Sequence, residues 1–434
     1  MRIHSSCWLA SLLFAISASA QTPTANSADP YLQKFPAMMS PAPLRGLLQK
    51  GDRLAICGDS ITEQKMYSRI METYLTVCVP EMDITVRQYG WSGEKAAGFL
   101  GRMTNDCLRF KPTVATTCYG MNDHEYRAYE PRIGELYREK MSGVVESFKA
   151  NGVRVLLGTA GTVGKKPSWV GDPNASIGDM NLNLANLRNI DIEIAGKAGV
   201  GFADVFWPML TIGHSMAVKS DGAFALSGKD GVHPGWAGQV VMAYAFLHGF
   251  GLDGAIGTFT MDLVSGTASV TPGHEVISSS KGEVEIKSSR YPFCPGEGDP
   301  AKDDNIRAGT LLVPFAAELN RLTLLVKHAD APLYTVTWGE QKKIFSGGQL
   351  RRGINLAEEF LTNPFSDAFK KVDAAVFAKQ QFETHQIKEV FHGGEGKADM
   401  EAAAAKTEAE RAPLAAAIKA AFVPVTHHLK ITAE

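Results

Sequence analysis

The chain reads as an α/β protein built on a parallel sheet, and three features of residues 53–250 predict it. Five short runs rich in apolar and β-branched residues stand at 53–57, 84–89, 113–118, 153–157 and 200–206. Stretches with helical patterning alternate with them. Turn residues punctuate several of the junctions. Alternating strands and helices of this kind suit a parallel sheet covered on both faces by helical layers.

The first run, Arg53-Leu54-Ala55-Ile56-Cys57, ends in Gly58, and a helix follows over 66–71. Residues 84–89 form the second strand. The helix at 96–110 is stopped by Pro112, which cannot continue it. Residues 113–118 are the third strand, and the helix at 136–150 closes on Asn151-Gly152. Residues 153–157 are the fourth. The helix at 182–198 ends at Gly199, a residue suited to the left-handed stop. The fifth strand, 200–206, precedes a last helix at 236–250.

Past residue 255 the helical spacing is lost. Strand candidates at 265–270, 284–286, 311–315, 322–326 and 334–338 are set between Gly, Pro, Asn and Asp, which predicts a small β-sandwich-like unit. From 355 to 423 the chain is helical and rich in Ala, Glu and Lys. Residues 398–421 read as a solvated helical appendage broken at Pro413, and 424–431 as a returning strand. The expected organisation is therefore a signal peptide at 1–20, a linker at 21–45, an α/β unit at 46–254, a β-rich accessory region at 255–354 and a mainly helical region at 355–434. A length of 434 residues is too much for one ordinary core and agrees with this division.

Arg2 and His4 make a short basic start, and residues 7–16 an apolar stretch too short to span a bilayer. Ala18-Ser19-Ala20 then fits a cleavage site before Gln21, so the mature protein is expected outside the cytoplasm, periplasmic or secreted. No later segment is apolar enough to span a membrane. A formal net charge of −2 offers no footprint for nucleic acid or an anionic membrane. The cysteines Cys57, Cys78, Cys107, Cys118 and Cys294 contain no CxxC pair, so no zinc site is expected. Cys57 and Cys118 end apolar runs and read as buried thiols. Cys78 and Cys107, each near a helix end, are the expected disulfide.

Four polar motifs carry the chemistry. Gly58-Asp59-Ser60 follows the first strand, where a tight turn projects a hydroxyl from the sheet edge. Gly90-Trp91-Ser92-Gly93 follows the second, and glycine there lets a backbone N–H approach a reacting centre. Gly120-Met121-Asn122-Asp123 follows the third and supplies a side-chain amide donor. Asp230-Gly231-Val232-His233 precedes the last helix and puts a carboxylate and an imidazole on one turn. Three of the four stand at carboxyl ends of strands, where ligands bind in open parallel sheets.

With these blocks, residues 50–252 resemble the SGNH hydrolases, the GDSL esterase/lipase family. The resemblance implies a three-layer, flavodoxin-like α/β/α fold with a five-stranded parallel sheet. It implies Ser60 as nucleophile, His233 as its base and Asp230 as the partner of His233. The implied oxyanion donors are the N–H groups of Ser60 and Gly93, with Gly90 the alternative to Gly93, and the Asn122 amide. It implies no cofactor and no metal. Asp59, Trp91, His124 and Trp169 are candidate substrate contacts, Trp169 within a Gly/Pro-rich segment at 161–179. The expected activity is hydrolysis of small-acyl esters, on carbohydrate in view of export and of aromatic residues near the site. A lipase, lysophospholipase or thioesterase is the alternative within the family. A non-catalytic glycan-binding protein is the alternative outside it.

Overall fold

The computed structural model describes residues 29–35 and 38–434. The expected signal peptide lies outside the described residues.

Strands β1 (Arg53–Gly58), β2 (Thr85–Gln88), β3 (Val114–Cys118), β4 (Arg154–Gly158) and β5 (Gly201–Ala203) pair in parallel in the order β2-β1-β3-β4-β5. This is the flavodoxin-like order. Strand residues alternate between faces. Leu54 and Ile56 join one apolar core, and Ala55 and Cys57 the other. Connections run through α1 (Ser60–Glu63), α2 (Tyr67–Val77), α3 (Ala96–Asp106), α4 (Pro131–Ala150), α5 (Ile177–Ala198), α6 (Phe206–Lys219) and α7 (Trp236–Gly249). Ile70 and Tyr74 of α2 and Val240 and Phe246 of α7 fill the first core. Phe99 of α3, Tyr137 and Met141 of α4 and Ile190 of α5 fill the second. The result is a sheet between two helical layers.

The C-terminal half adds two more sheets. Its strands are β6 (Ala255–Asp262), β7 (Ala268–Val270), β8 (His274–Ser280), β9 (Glu283–Ser288), β10 (Arg321–Lys327), β11 (Leu333–Trp338), β12 (Gln341–Ser346), β13 (Ile354–Asn355) and β14 (Val425–Ala433). One sheet runs β13-β10-β6-β7 and the other, antiparallel throughout, β12-β11-β14-β9-β8. The last strand of the chain therefore sits in the middle of its sheet. Short helices α8 (Ile306–Leu312), α9 (Phe315–Leu319), α10 (Gly347–Arg352) and α11 (Leu356–Glu359) lie between the strands. Helices α12 (Ser366–His385), α13 (Gly394–Ala398) and α14 (Met400–Ala421) follow, with a π-helical turn at Gln386–Phe391.

Helices α12 and α14 seal the edge of β2. Lys379 Nζ and Arg411 Nη2 donate to the Val86 carbonyl at 2.6 and 3.1 Å, and Glu383 accepts the Gln88 N–H at 3.1 Å. Side chains thus occupy backbone groups that a further strand would otherwise pair. Lys379 also bonds Glu383 at 2.8 Å and Glu72 of α2 at 3.1 Å, so the buried ammonium is neutralised from two sides.

Several expectations are corrected. Residues 311–315 are not a strand: Pro314 separates α8 from α9, and Asn305 caps α8 by accepting the Ala308 N–H at 2.9 Å. A short apolar run does not distinguish a buried helix from a strand. Phe206 opens α6 rather than closing a strand, because the Thr159 hydroxyl accepts the Val205 and Phe206 N–H groups at 3.0 and 2.9 Å. Helix α14 runs unbroken past Pro413 and buries Ala403, Ala404, Thr407 and Ile418, so it is a packed element rather than a solvated appendage. Cys78 and Cys107 do not form a disulfide. Both are free and buried in different cores, Cys78 near Cys294 and Cys107 against Cys57. Among the described residues, no helix is long and apolar enough to cross a membrane.

Candidate active site

Ser60 is the first residue of α1, directly after β1. Asp59 caps that helix by accepting the Ile61 N–H on Oδ1 at 3.0 Å. The Ser60 hydroxyl lies 2.8 Å from His233 Nε2. His233 Nδ1 lies 2.7 Å from Asp230 Oδ2. The other oxygen, Oδ1, accepts the Val232 and His233 N–H groups, each at 2.9 Å. Partial burial works to raise the Asp230 carboxyl, but these two N–H donors and the imidazole outweigh it and hold it below the usual range. The arrangement fixes the tautomer. With Nδ1–H given to the ionised carboxylate, Nε2 is free to accept the serine proton.

The loop after β2 supplies a donor by elimination. Tyr89 N–H bonds Ile56 O at 2.8 Å, Trp91 N–H bonds Gly58 O at 3.0 Å, and Glu94 N–H bonds Trp91 O at 3.1 Å. Gly90 N–H is taken by the Gln88 side chain and Ser92 N–H by the Glu63 carboxylate. Among the described residues, no group accepts from Gly93 N–H. Gly93 has φ +75°, a left-handed conformation that suits glycine. Gly90 has another duty: a Cβ there would stand 2.2 Å from the Glu63 nitrogen, so it is the point where the loop passes under α1. The geometry therefore favours Gly93 over Gly90 as the open donor.

Asn122, after β3, gives one amide hydrogen to the Glu94 carbonyl at 3.0 Å, and its Oδ1 accepts from Tyr126 Oη at 3.3 Å. Among the described residues, its second amide hydrogen has no acceptor. Glu94 is clamped in turn by Arg102, at 2.6 and 2.8 Å, and by the Tyr119 hydroxyl at 2.9 Å. One buried residue thus braces both the Gly93 loop and Asn122.

Asp123 ties the strand end to α3, accepting Ala96 N–H and Gly120 N–H, each at 3.0 Å. Burial outweighs these backbone donors and the nearby Lys95 charge, and pushes its carboxyl up to about 6. Asp59 is 2% exposed, and burial, reinforced by the charges of Asp123 and Glu94, pushes it up to about 7. It is a capping group beneath the site, not a surface that meets substrate. His124 is corrected more sharply. It is wholly buried, its Nδ1–H bonds the Met121 carbonyl at 2.5 Å, and burial pushes it down to about 4. Trp91 is held by its surroundings, with His392 edge-on at 4.9 Å and the cations of Arg102 and Lys388 at 5.0 and 5.3 Å. Trp169 is the one candidate contact that remains open. It is 50% exposed, with its ring centre 6.1 Å from His233 and edge-on to Tyr126 at 5.8 Å. Lys165, in the same segment, lines a separate cavity of about 600 Å³ that contains no member of the Ser60–His233–Asp230 set.

The sequence reading missed Glu63, Glu94, Arg102 and Lys388. Glu63 stands one turn after Ser60 and Glu94 beside Gly93, which was a usable signal. Lys388 lies 325 residues from Glu63 and had none.

Residues 56–241 match the model of the GDSL-like lipase/acylhydrolase family. Comparison with curated proteins gives no match. Among solved structures, the chain is similar to BT4096, a gut microbial diltiazem-metabolizing enzyme, at 20% identity and TM-score 0.71, over 91% of this chain and 100% of that one. That likeness spans the parallel sheet and most of the C-terminal half. The acetylxylan esterase Axe2 of Geobacillus stearothermophilus aligns at 21% identity and TM-score 0.39, over 47% of this chain and 96% of that one. LAE5, an α/β hydrolase enzyme from the metagenome of Lake Arreo, Spain, aligns at 20% identity and TM-score 0.39, over 47% and 97%.

Proposed function

We propose that this member of the GDSL-like lipase/acylhydrolase family, a carboxylic ester hydrolase, works outside the cytoplasm through an acyl-Ser60 intermediate and removes small acyl groups from carbohydrate. The observation that carries the mechanism is the continuous contact from Ser60 Oγ to His233 Nε2 at 2.8 Å and from His233 Nδ1 to Asp230 at 2.7 Å. As Ser60 Oγ bonds to the ester carbonyl carbon, its proton passes to His233 Nε2, and the Asp230 carboxylate stabilises the imidazolium. The carbonyl oxygen becomes an oxyanion held by Ser60 N–H, Gly93 N–H and the Asn122 amide. Each such donor contributes about 3–4 kcal/mol at the transition state. Collapse breaks the bond to the alcohol oxygen, which leaves with the proton from His233. Water, deprotonated by the same nitrogen, then releases the acid and restores Ser60.

The carbohydrate half of the reading rests on Trp169. A half-exposed indole beside the reacting imidazole offers an apolar face on which a sugar ring can stack. The test compares p-nitrophenyl acetate, butyrate and octanoate, followed by acetylated polysaccharide. Turnover is expected to fall with chain length and acetate to be released from the polymer. Activity that rises towards octanoate overturns the small-acyl reading in favour of a lipase.

A further inference from the structure

The C-terminal half does more than seal β2. Past α12, the π-helical turn at Gln386–Phe391 carries Lys388 to the open end of the parallel sheet. π-Helical turns occur often at functional sites. Lys388 Nζ donates to both Glu63 oxygens, at 2.8 and 3.0 Å. Glu63 ends the short helix that begins with Ser60, and its carboxylate accepts the Ser92 N–H. Burial works to raise that carboxyl, yet the Lys388 ammonium and the Ser92 donors hold it below its ordinary range, so it is ionised in this role. The same ammonium lies 5.3 Å from the Trp91 ring centre, and His392 meets that ring edge-on at 4.9 Å. Trp91 and Ser92 directly precede Gly93.

We propose that Lys388 is a positioning residue for the oxyanion loop. Through Glu63 and Trp91 it fixes the two residues that aim Gly93 N–H, so the C-terminal half sets the rate of the reaction without touching substrate. The proposal rests on the serine hydrolase reading above. A loop that swings away weakens a donor used at the transition state, so the loss falls on kcat more than on KM.

The experiment uses the full chain with Lys388→Met, Lys388→Arg and Glu63→Gln. Hydrolysis of p-nitrophenyl acetate gives kcat and KM, and hydrogen exchange of the peptide covering residues 89–95 reports the loop. Lys388→Met and Glu63→Gln are expected to lower kcat about 10- to 100-fold with KM little changed. They are also expected to speed exchange of the loop, and Lys388→Arg, which keeps the charge, to restore most of both. A kcat within about two-fold of the parent, or a loop whose exchange is unchanged, overturns the proposal. If the parent protein fails to cleave any ester, the hydrolase reading fails. The exchange measurement then still decides whether Lys388 orders the loop.

Discussion

At the amino end of the parallel sheet, Asp52 is 4% exposed and fully engaged. It accepts the Gln49 N–H at 2.6 Å and the Thr113 hydroxyl at 2.7 Å, and it pairs with Arg154. At the carboxyl end of the same strands, Gly93 N–H and one Asn122 amide hydrogen have no acceptor among the described residues. The His233 ring there is 25% exposed. Both ends are built from similar residue types on the same scaffold. Closed polar networks hold strands together, whereas donors left open in a braced frame are available to an incoming charge. The braces of the open end, Glu94 with Arg102 and Glu63 with Lys388, are closed networks set one layer back.

Substitutions at the two ends should therefore separate activity from stability. The largest effect is expected from Ser60→Ala. Ester turnover should fall by at least about 10⁴-fold, with the thermal midpoint unchanged. Near-parental turnover would remove Ser60 from the chemistry. Asp52→Ala should do the reverse. The Thr113 hydroxyl loses its acceptor and the Arg154 guanidinium loses one of two, keeping the Leu47 carbonyl, which costs about 2 kcal/mol, a figure tempered because Arg154 is 28% exposed and regains water. Urea unfolding should show the loss while kcat stays at the parental value, and a matching fall in kcat would break the contrast between the two ends.

A third contrast, read through pH rather than through turnover, concerns the buried acid beneath Ser60. Asp59 stays protonated in the folded chain up to about pH 7, whereas in the unfolded chain it ionises near its ordinary value of 3.8. Between those limits the folded state binds a proton that the unfolded state lacks, so stability declines as pH rises through that window. Asp59→Asn keeps an oxygen for the Ile61 N–H and cannot ionise. Thermal melts between pH 4.5 and 7.5 should show the variant gaining on the parent as pH rises. A constant difference across the series would mean that Asp59 is ionised in the fold.

Much of the sheet was legible because its information is local. In β1, β3 and β4 nearly every residue is apolar or β-branched, and the structure buries both faces of each. The helix that starts at Phe206 was not legible, since its start depends on the Thr159 hydroxyl, 47 residues away. The C-terminal sheets were read only in part. Strand β8 is polar and mostly exposed, and β12 carries two lysines at its centre, so neither shows an apolar run. The site divides in the same way. Ser60, Asn122, Asp230 and His233 stand in short motifs at strand or helix ends. His124 sits in such a motif too, yet its side chain turns into the core, because position beside a functional residue does not fix the direction of a side chain.

By itself the sequence determined the α/β class, the strand–helix alternation and the short motifs that place a hydroxyl, an amide, and an imidazole with its carboxylate at the ends of elements, whereas the meeting of Ser60 with His233, 173 residues away, is tertiary. The class, the alternation and the motifs depend on residues within a few positions of one another, and chain geometry carries them directly. Only the tertiary structure decided that Cys78 and Cys107 lie in separate cores, that β14 returns to the middle of a sheet, and that Lys379 and Lys388 reach back to β2 and Glu63. Partners separated by some 300 residues leave no periodicity to read. Their pairing is set by which faces the packed layers bring together, and by the cost of leaving a buried charge without a counterpart.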